Sequence, residues 1–151
     1  MVSENIKPDR SLMQAAIDVA DLHQTPFGAV LAMGGEIFIE AANQTKQLHD
    51  PTAHAELLGI RRLSGQLQKT DLSGFTLYTT CEPCPMCAGA AVWAGIHQII
   101  FGCNISEISE FMPQISLSSD EIYDKSRYSK EIQNRGGFMR EEGLELLKRH
   151  V

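Results

Sequence analysis

FTLYTTCEPCPMCAGAAVWAGIHQIIFG, residues 75–102, reads as strand, helix, strand. FTLYTT is short, rich in β-branched and aromatic residues, and bounded by Ser73-Gly74. HQIIFG follows Gly95, a residue suited to ending a helix that opens near Pro83. Two central strands joined by a helix are therefore expected. Upstream, FGAVLAM and EIFIEAAN flank Gly34-Gly35, a dipeptide that takes positive φ at little cost, so a hairpin is expected there, its second strand ended by Asn43. Ser11 is expected to cap a first helix, with Leu12, Ala15, Ala16, Val19 and Ala20 at helical spacing through about His23. Asp50-Pro51 leads into a helix from about Thr52 to Leu67, with Leu57, Ile60, Leu63 and Leu67 inward and His54 in the first turn. The tail predicts a helix at Ser119 to Tyr128, a short strand at Glu131 to Gln133 and a last helix at Arg140 to Arg149. This alternation marks a layered α/β protein, and no repeat, linker or low-complexity tract divides residues 1–151, so one domain is expected.

Composition agrees with that reading. A chain of 151 residues, 43% hydrophobic and 21% charged, can bury a single core. The N-terminal MVSENIKPDRSLM has no apolar run with a cleavage site, and no window approaches the roughly 18 apolar residues of a membrane span, so a soluble cytoplasmic protein is expected. The net charge of −6 argues against non-specific binding to nucleic acid or anionic membranes, which rests on clustered Lys and Arg. It favours small neutral or weakly polar ligands.

Three of the four cysteines, Cys81, Cys84 and Cys87, fall within seven residues. Without a secretory signal, that grouping points to metal or redox chemistry before a disulfide framework. Cys84 and Cys87 lie three apart at a helix start, where they project from neighbouring points of one face. Helix-terminal N–H groups favour thiolates, which are the metal-binding form. A bare C-x-x-C would equally suit two small core residues. His54, at the opening of another helix, adds a nitrogen donor that suits zinc beside two sulfurs, and three protein ligands leave a fourth position for water. Glu56 stands two residues on. At a helix opening the direction of the first residue is loosely constrained, so both side chains can face one pocket, although a first-turn carboxylate is also simply favoured by the helix dipole.

Together, His54-Ala55-Glu56 and Pro83-Cys84-Pro85-Met86-Cys87 form the H-x-E and P-C-x-x-C pair of the zinc deaminases. Over nearly its whole length the chain resembles the cytidine deaminase superfamily, and it is most similar to bacterial guanine deaminases and tRNA adenosine deaminases. PFGAV at 26–30, Asn43 ahead of DPTAHAE, and LYTTCEPCPMCAGA at 77–90 carry the resemblance further. It implies Zn2+ held by His54, Cys84 and Cys87, with Glu56 as proton shuttle. It also implies Asn43 hydrogen-bonded to the base or sugar, Phe27 lining the ring face, the backbone at Ala53 meeting a ring edge, and a homodimer. Trp93 is a further candidate wall. Pattern and resemblance together predict a three-layer α/β/α sandwich with a mixed five-stranded sheet, the first hairpin antiparallel and both zinc-bearing helices on one face.

Several readings of function follow. The leading one is hydrolytic deamination of a purine base or nucleoside such as guanine, with release of ammonia. Guanine offers N1–H and an exocyclic amine, for which Asp120 or Glu121 could supply a carboxylate acceptor. The alternatives are a tRNA-specific adenosine deaminase and a deaminase of cytosine or another small aminoheterocycle. HDPTAHAE and the CAGA after Cys87 favour tRNA adenosine. Against it, GCNISEISEF stands where those enzymes typically carry a Lys-containing, Gly-rich segment, and residues 104–151 hold seven Lys and Arg against nine Asp and Glu. A structural zinc domain on the same fold would need no Glu56, and structural zinc is usually closed by four protein ligands. An iron–sulfur reading of C-x-x-C-x-x-C lacks a fourth cysteine at the usual distance, since Cys103 lies sixteen positions beyond Cys87. Cys81 is expected to be a partly buried hydrophobic residue, and neither Cys81 nor Cys103 is expected to ligate.

Overall fold

The computed structural model describes residues 7–151. Its element order is α1 (Arg10–Leu22), β1 (Gly28–Met33), β2 (Glu36–Ala42), α2 (Ala55–Leu67), β3 (Thr76–Cys81), α3 (Pro85–Trp93), β4 (Gln98–Cys103), α4 (Ile105–Ile108), α5 (Ser119–Asp124), β5 (Gln133–Arg135) and α6 (Arg140–His150). The strands form one sheet in the order β2-β1-β3-β4-β5. β1 pairs antiparallel with β2 and β3, while β3, β4 and β5 run parallel. Gly34 and Gly35, at φ +59° and +79°, make the β1–β2 turn. The mixed sheet and antiparallel first hairpin are as expected.

Period-two alternation sorts the strand residues into two cores. Leu31, Leu77, Ile99 and Phe101 meet Ala55, Ile60 and Leu63 of α2, Ala88 and Ala91 of α3, and Tyr123 of α5. On the opposite face Val30, Ala32, Tyr78 and Ile100 meet Leu12, Met13 and Ala16 of α1 together with Met139 at the start of α6. The sheet thus lies between two helical layers, with α2 and α3 on one side. Among the described residues no helix is long and apolar enough to cross a membrane.

Close approach of α1 to β1 depends on Gly28. A Cβ there would sit 2.1 Å from the Ala16 carbonyl oxygen and 2.9 Å from the Ala20 Cβ. Gly28→Ala is therefore expected to cost about 3 kcal/mol through overpacking, lowering Tm by roughly 5–10 °C in a circular-dichroism melt. An unchanged Tm would mean that helix and strand part without cost.

Several local expectations are corrected. Asp9, not Ser11, caps α1: its Oδ1 accepts from Ser11 N at 2.8 Å and from Ser11 Oγ at 2.6 Å. α2 opens at Ala55 because Asp50 draws Thr52 into a turn, Oδ1 accepting from Thr52 N at 2.9 Å and Thr52 Oγ1 at 2.7 Å. Leu58 is buried, while Leu57 is half-buried and Leu67 is exposed, because Leu58 packs on Ala41 and Ala53 and Leu67 lies at the end of the helix. α3 begins at Pro85, two residues after Pro83. α5 stops at Asp124 rather than reaching Tyr128, and the last strand lies at Gln133–Arg135 rather than 131–133. The single turn of α4 was not anticipated.

Candidate metal centre and cavity

His54 and Cys84 occupy equivalent places, each the N-cap of its helix. Their backbones are extended, at φ −70° and ψ 155° for His54 and φ −65° and ψ 169° for Cys84, and neither side chain caps its own helix. An N-cap side chain normally accepts a helix N–H; here the ring and thiol turn to each other. His54 Nδ1 lies 3.5 Å from Cys84 Sγ and 3.8 Å from Cys87 Sγ. The three donor atoms fall within 4.8 Å of one another. A tetrahedral zinc with ordinary Zn–N and Zn–S bonds requires N···S separations of about 3.6 Å, so the donor set fits the ion.

Electrostatics agree with the geometry. The Cys87 thiol, the helix N–H of Cys87 and the nearby His54 ring hold Cys84 as a thiolate, its pKa lowered to about 4. The hydrogen bond to the Cys84 sulfur, and then the negative charge of that sulfur, raise the pKa of His54. Cys87 is buried and keeps its proton against the Cys84 sulfur, with the Leu57 N–H also directed at it. One shared thiol proton is what a cation would displace on binding.

Glu56, in the first turn of α2, is 6% exposed, and burial pushes its carboxyl up to about 7, with the Cys84 thiolate adding to the effect. Glu56, His54 and Cys84 border one cavity of about 570 Å³, while Cys87 lies behind it. Phe27 and Asn43 border the same space. Asn43 Oδ1 accepts from Thr45 N at 2.9 Å, which leaves the Nδ2 amide as the group to donate. The roof comes from the segment after β4: Ile108, Met112, Gln114 and Ile115. None of these was singled out from the sequence, where only the capping patterns of Asn104 with Glu107 and Ser118 with Glu121 signal order in that segment.

Four expected contacts do not fall on the cavity. Trp93 is 88% exposed and lines a separate cleft with His97 and Tyr128. It lies six residues beyond Cys87 at about 100° per residue, which points it elsewhere on the helix. Ala53 is buried with its backbone already paired: N donates to Asp50 O at 3.1 Å, and O accepts from Gln44 N at 3.0 Å. Asp120 accepts from Asn134 Nδ2 at 2.9 Å, and Glu121 closes the capping box with Ser118. Cys81 and Cys103 are register partners on β3 and β4 and both are buried. Neither belongs to the ligand triad.

The cytidine and deoxycytidylate deaminase zinc-binding region matches residues 6–103. The tRNA-specific adenosine deaminase of Haemophilus influenzae is 32% identical over 139 residues, covering 89% of this chain and 78% of that one. The guanine deaminase of Bacillus subtilis is 41% identical over 85 residues, 56% of this chain and 54% of its own. The guanine deaminase from Nitrosomonas europaea superposes with a TM-score of 0.81 at 18% identity over 97% of this chain and 86% of that one, a likeness of fold. The chain spans about half the length of several of the curated relatives it matches.

Proposed function

We propose, from the premise that this chain belongs to the cytidine and deoxycytidylate deaminase zinc-binding family, that it hydrolyses the amino group of a free purine base or nucleoside, guanine first, and releases ammonia. The observation that carries the reading is the cavity beside the ligand triad. Its bordering side chains include Glu56, Glu82 and His54 but no Lys or Arg, and most of the remainder are apolar. Such a space suits a flat, neutral ring and offers nothing to a phosphate.

Bound zinc supplies a water acidic enough to lose a proton near neutral pH. Everything else falls to the chain. Glu56 carries a carboxyl with a pKa of about 7, so it can accept that proton and give it up again at neutral pH. Glu56 passes the proton to the ring nitrogen beside the amino-bearing carbon, and a later one to the departing amine. Oxygen replaces nitrogen on the ring, so base plus water becomes the oxo-base plus ammonia. Phe27 supplies an aromatic face for the ring and Asn43 Nδ2 a donor to its edge. Met112 and Ile115 keep bulk water from the space above it.

Ammonia release over guanine, guanosine, adenine, adenosine, cytosine, cytidine and tRNA tests the proposal. The second reading, tRNA adenosine, is supported by the similarity to the Haemophilus protein over most of both chains. Salt separates the two. For a neutral base, kcat/KM is expected to change by less than about twofold between 50 and 200 mM salt, because no counterions are released, whereas a tRNA substrate making several phosphate contacts would lose roughly a hundredfold or more. Salt-sensitive turnover of tRNA with no ammonia from any small ring would replace the first reading by the second.

A further inference from the structure

Glu82 follows β3 directly and precedes the ligand Cys84 by two residues. It borders the cavity, yet it is 7% exposed and no Lys or Arg is paired with it among the described residues. Its carboxylate is instead satisfied by two distant points of the chain. Oε1 accepts from Ile105 N at 2.8 Å. Oε2 accepts from Ser119 N at 2.7 Å and from Ser119 Oγ at 2.6 Å. Ser119 is held in turn by Asn134 Nδ2, 2.8 Å from its Oγ.

Ile105 and Ser119 are the two ends of the segment that roofs the cavity. Ile108, Met112, Gln114 and Ile115 all lie between them. One buried carboxylate therefore fastens both ends of the roof, and the chain that bears it enters the metal centre two residues later, with Glu82 N donating to Cys103 O at 2.7 Å to fix its own backbone. A buried carboxylate without a cation is costly unless donors surround it, so each of these three hydrogen bonds offsets part of the cost of burying Glu82.

We infer that Glu82 is a positioning residue that sets the height of the cavity roof over the ligand triad, and so governs how tightly the ring is held rather than how fast it reacts. The inference rests on the proposed small-ring substrate, and its test includes readouts that do not depend on it. Glu82→Gln keeps the shape but turns one acceptor into a donor facing Ser119 or Ile105. Zinc content is expected to stay at the wild-type level. Hydrogen exchange of amides 105–118 should quicken by about tenfold or more while amides 55–67 of α2 stay unchanged. KM for the base that wild type deaminates should rise about tenfold, with kcat within about threefold.

Ser119→Ala removes the hydroxyl that donates to Glu82 Oε2 and accepts from Asn134 Nδ2 but keeps the Ser119 N–H donor; it should give the same pattern at a smaller size, and it decides the matter if Glu82→Gln does not fold. Unchanged exchange of 105–118 in the folded variants, or a fall in kcat with KM unaltered, would overturn the inference. If wild type releases ammonia from none of the small rings, the proposed function fails while the exchange pattern still tests the roof.

Discussion

Glu56→Gln is expected to retain wild-type zinc content and to lower kcat for ammonia release by about a thousandfold or more. The substitution replaces a carboxyl by an amide of nearly the same shape, so His54, Cys84 and Cys87 keep their places. What disappears is the ability to hold a proton and release it. General acid–base groups contribute roughly a hundredfold to ten-thousandfold each, and here one group serves both the incoming and the departing proton. The loss should therefore fall in the upper part of that range. Metal analysis beside steady-state kinetics measures both halves. Activity within tenfold of wild type at full zinc occupancy would remove Glu56 from the chemistry and leave it a first-turn carboxylate of α2.

Cys87→Ala carries the second large effect. Cys87 is 0% exposed, one turn into α3, behind the cavity and against both His54 and Cys84. Without it two donors remain. Zinc affinity should fall by more than the roughly 10–100-fold that follows loss of a merely supporting group around a metal. Binding to the folded state alone stabilises by about 4 kcal/mol when free zinc stands a thousandfold above its dissociation constant, so the variant should melt well below the zinc-loaded wild type. A chelator should bring wild type down toward the variant and leave the variant's Tm unmoved. Cys81→Ser and Cys103→Ser form the contrast: both touch the sheet core and neither belongs to the triad, so each is expected to keep its zinc. Equal metal loss across these three cysteine variants would mean that the fold, not ligation, controls zinc content.

Much of the fold is legible in the sequence, because the signals are local and strong. Alternating apolar residues in FTLYTT and HQIIFG place Leu77 and Ile99 on one face and Tyr78 and Ile100 on the other. Gly34-Gly35 marks the hairpin because both turn residues take positive φ, which glycine adopts without strain. The candidate ligand set, His54, Cys84 and Cys87, is legible in the pairing of two motifs at two helix openings, and the structure brings its three donor atoms within 4.8 Å of one another. The misplaced details share a physical cause, which is competition among neighbours a few residues apart. Asp9 and Ser11 can both cap a helix, and the side chain that reaches the N–H of the other wins. Trp93 shows a different limit: spacing gives its angle relative to Cys87, but only packing against the sheet decides which side faces the cavity. Glu82 was hidden because its partners, Ile105 and Ser119, lie 23 and 37 residues away and are mostly backbone N–H groups, which leave no mark in a sequence.

The two margins of the sheet differ in a way that bears on behaviour at high concentration. β5 is three residues long and offers little backbone for another chain to join. β2 is seven residues long and presents Ile37 and Phe38 at 37% and 40% exposure on the opposite margin. Its sequence, EIFIE, is the kind of short β-prone run that recruits copies of itself into aggregates when its outer hydrogen-bonding groups are unclaimed. Glu36 and Glu40 bracket that run and are both exposed, so an approaching copy brings like charges together before its strand can pair. Neither glutamate lines the cavity beside His54, Cys84 and Glu56. Charges so placed are expected to bear on the chain's solubility rather than on its stability or its turnover.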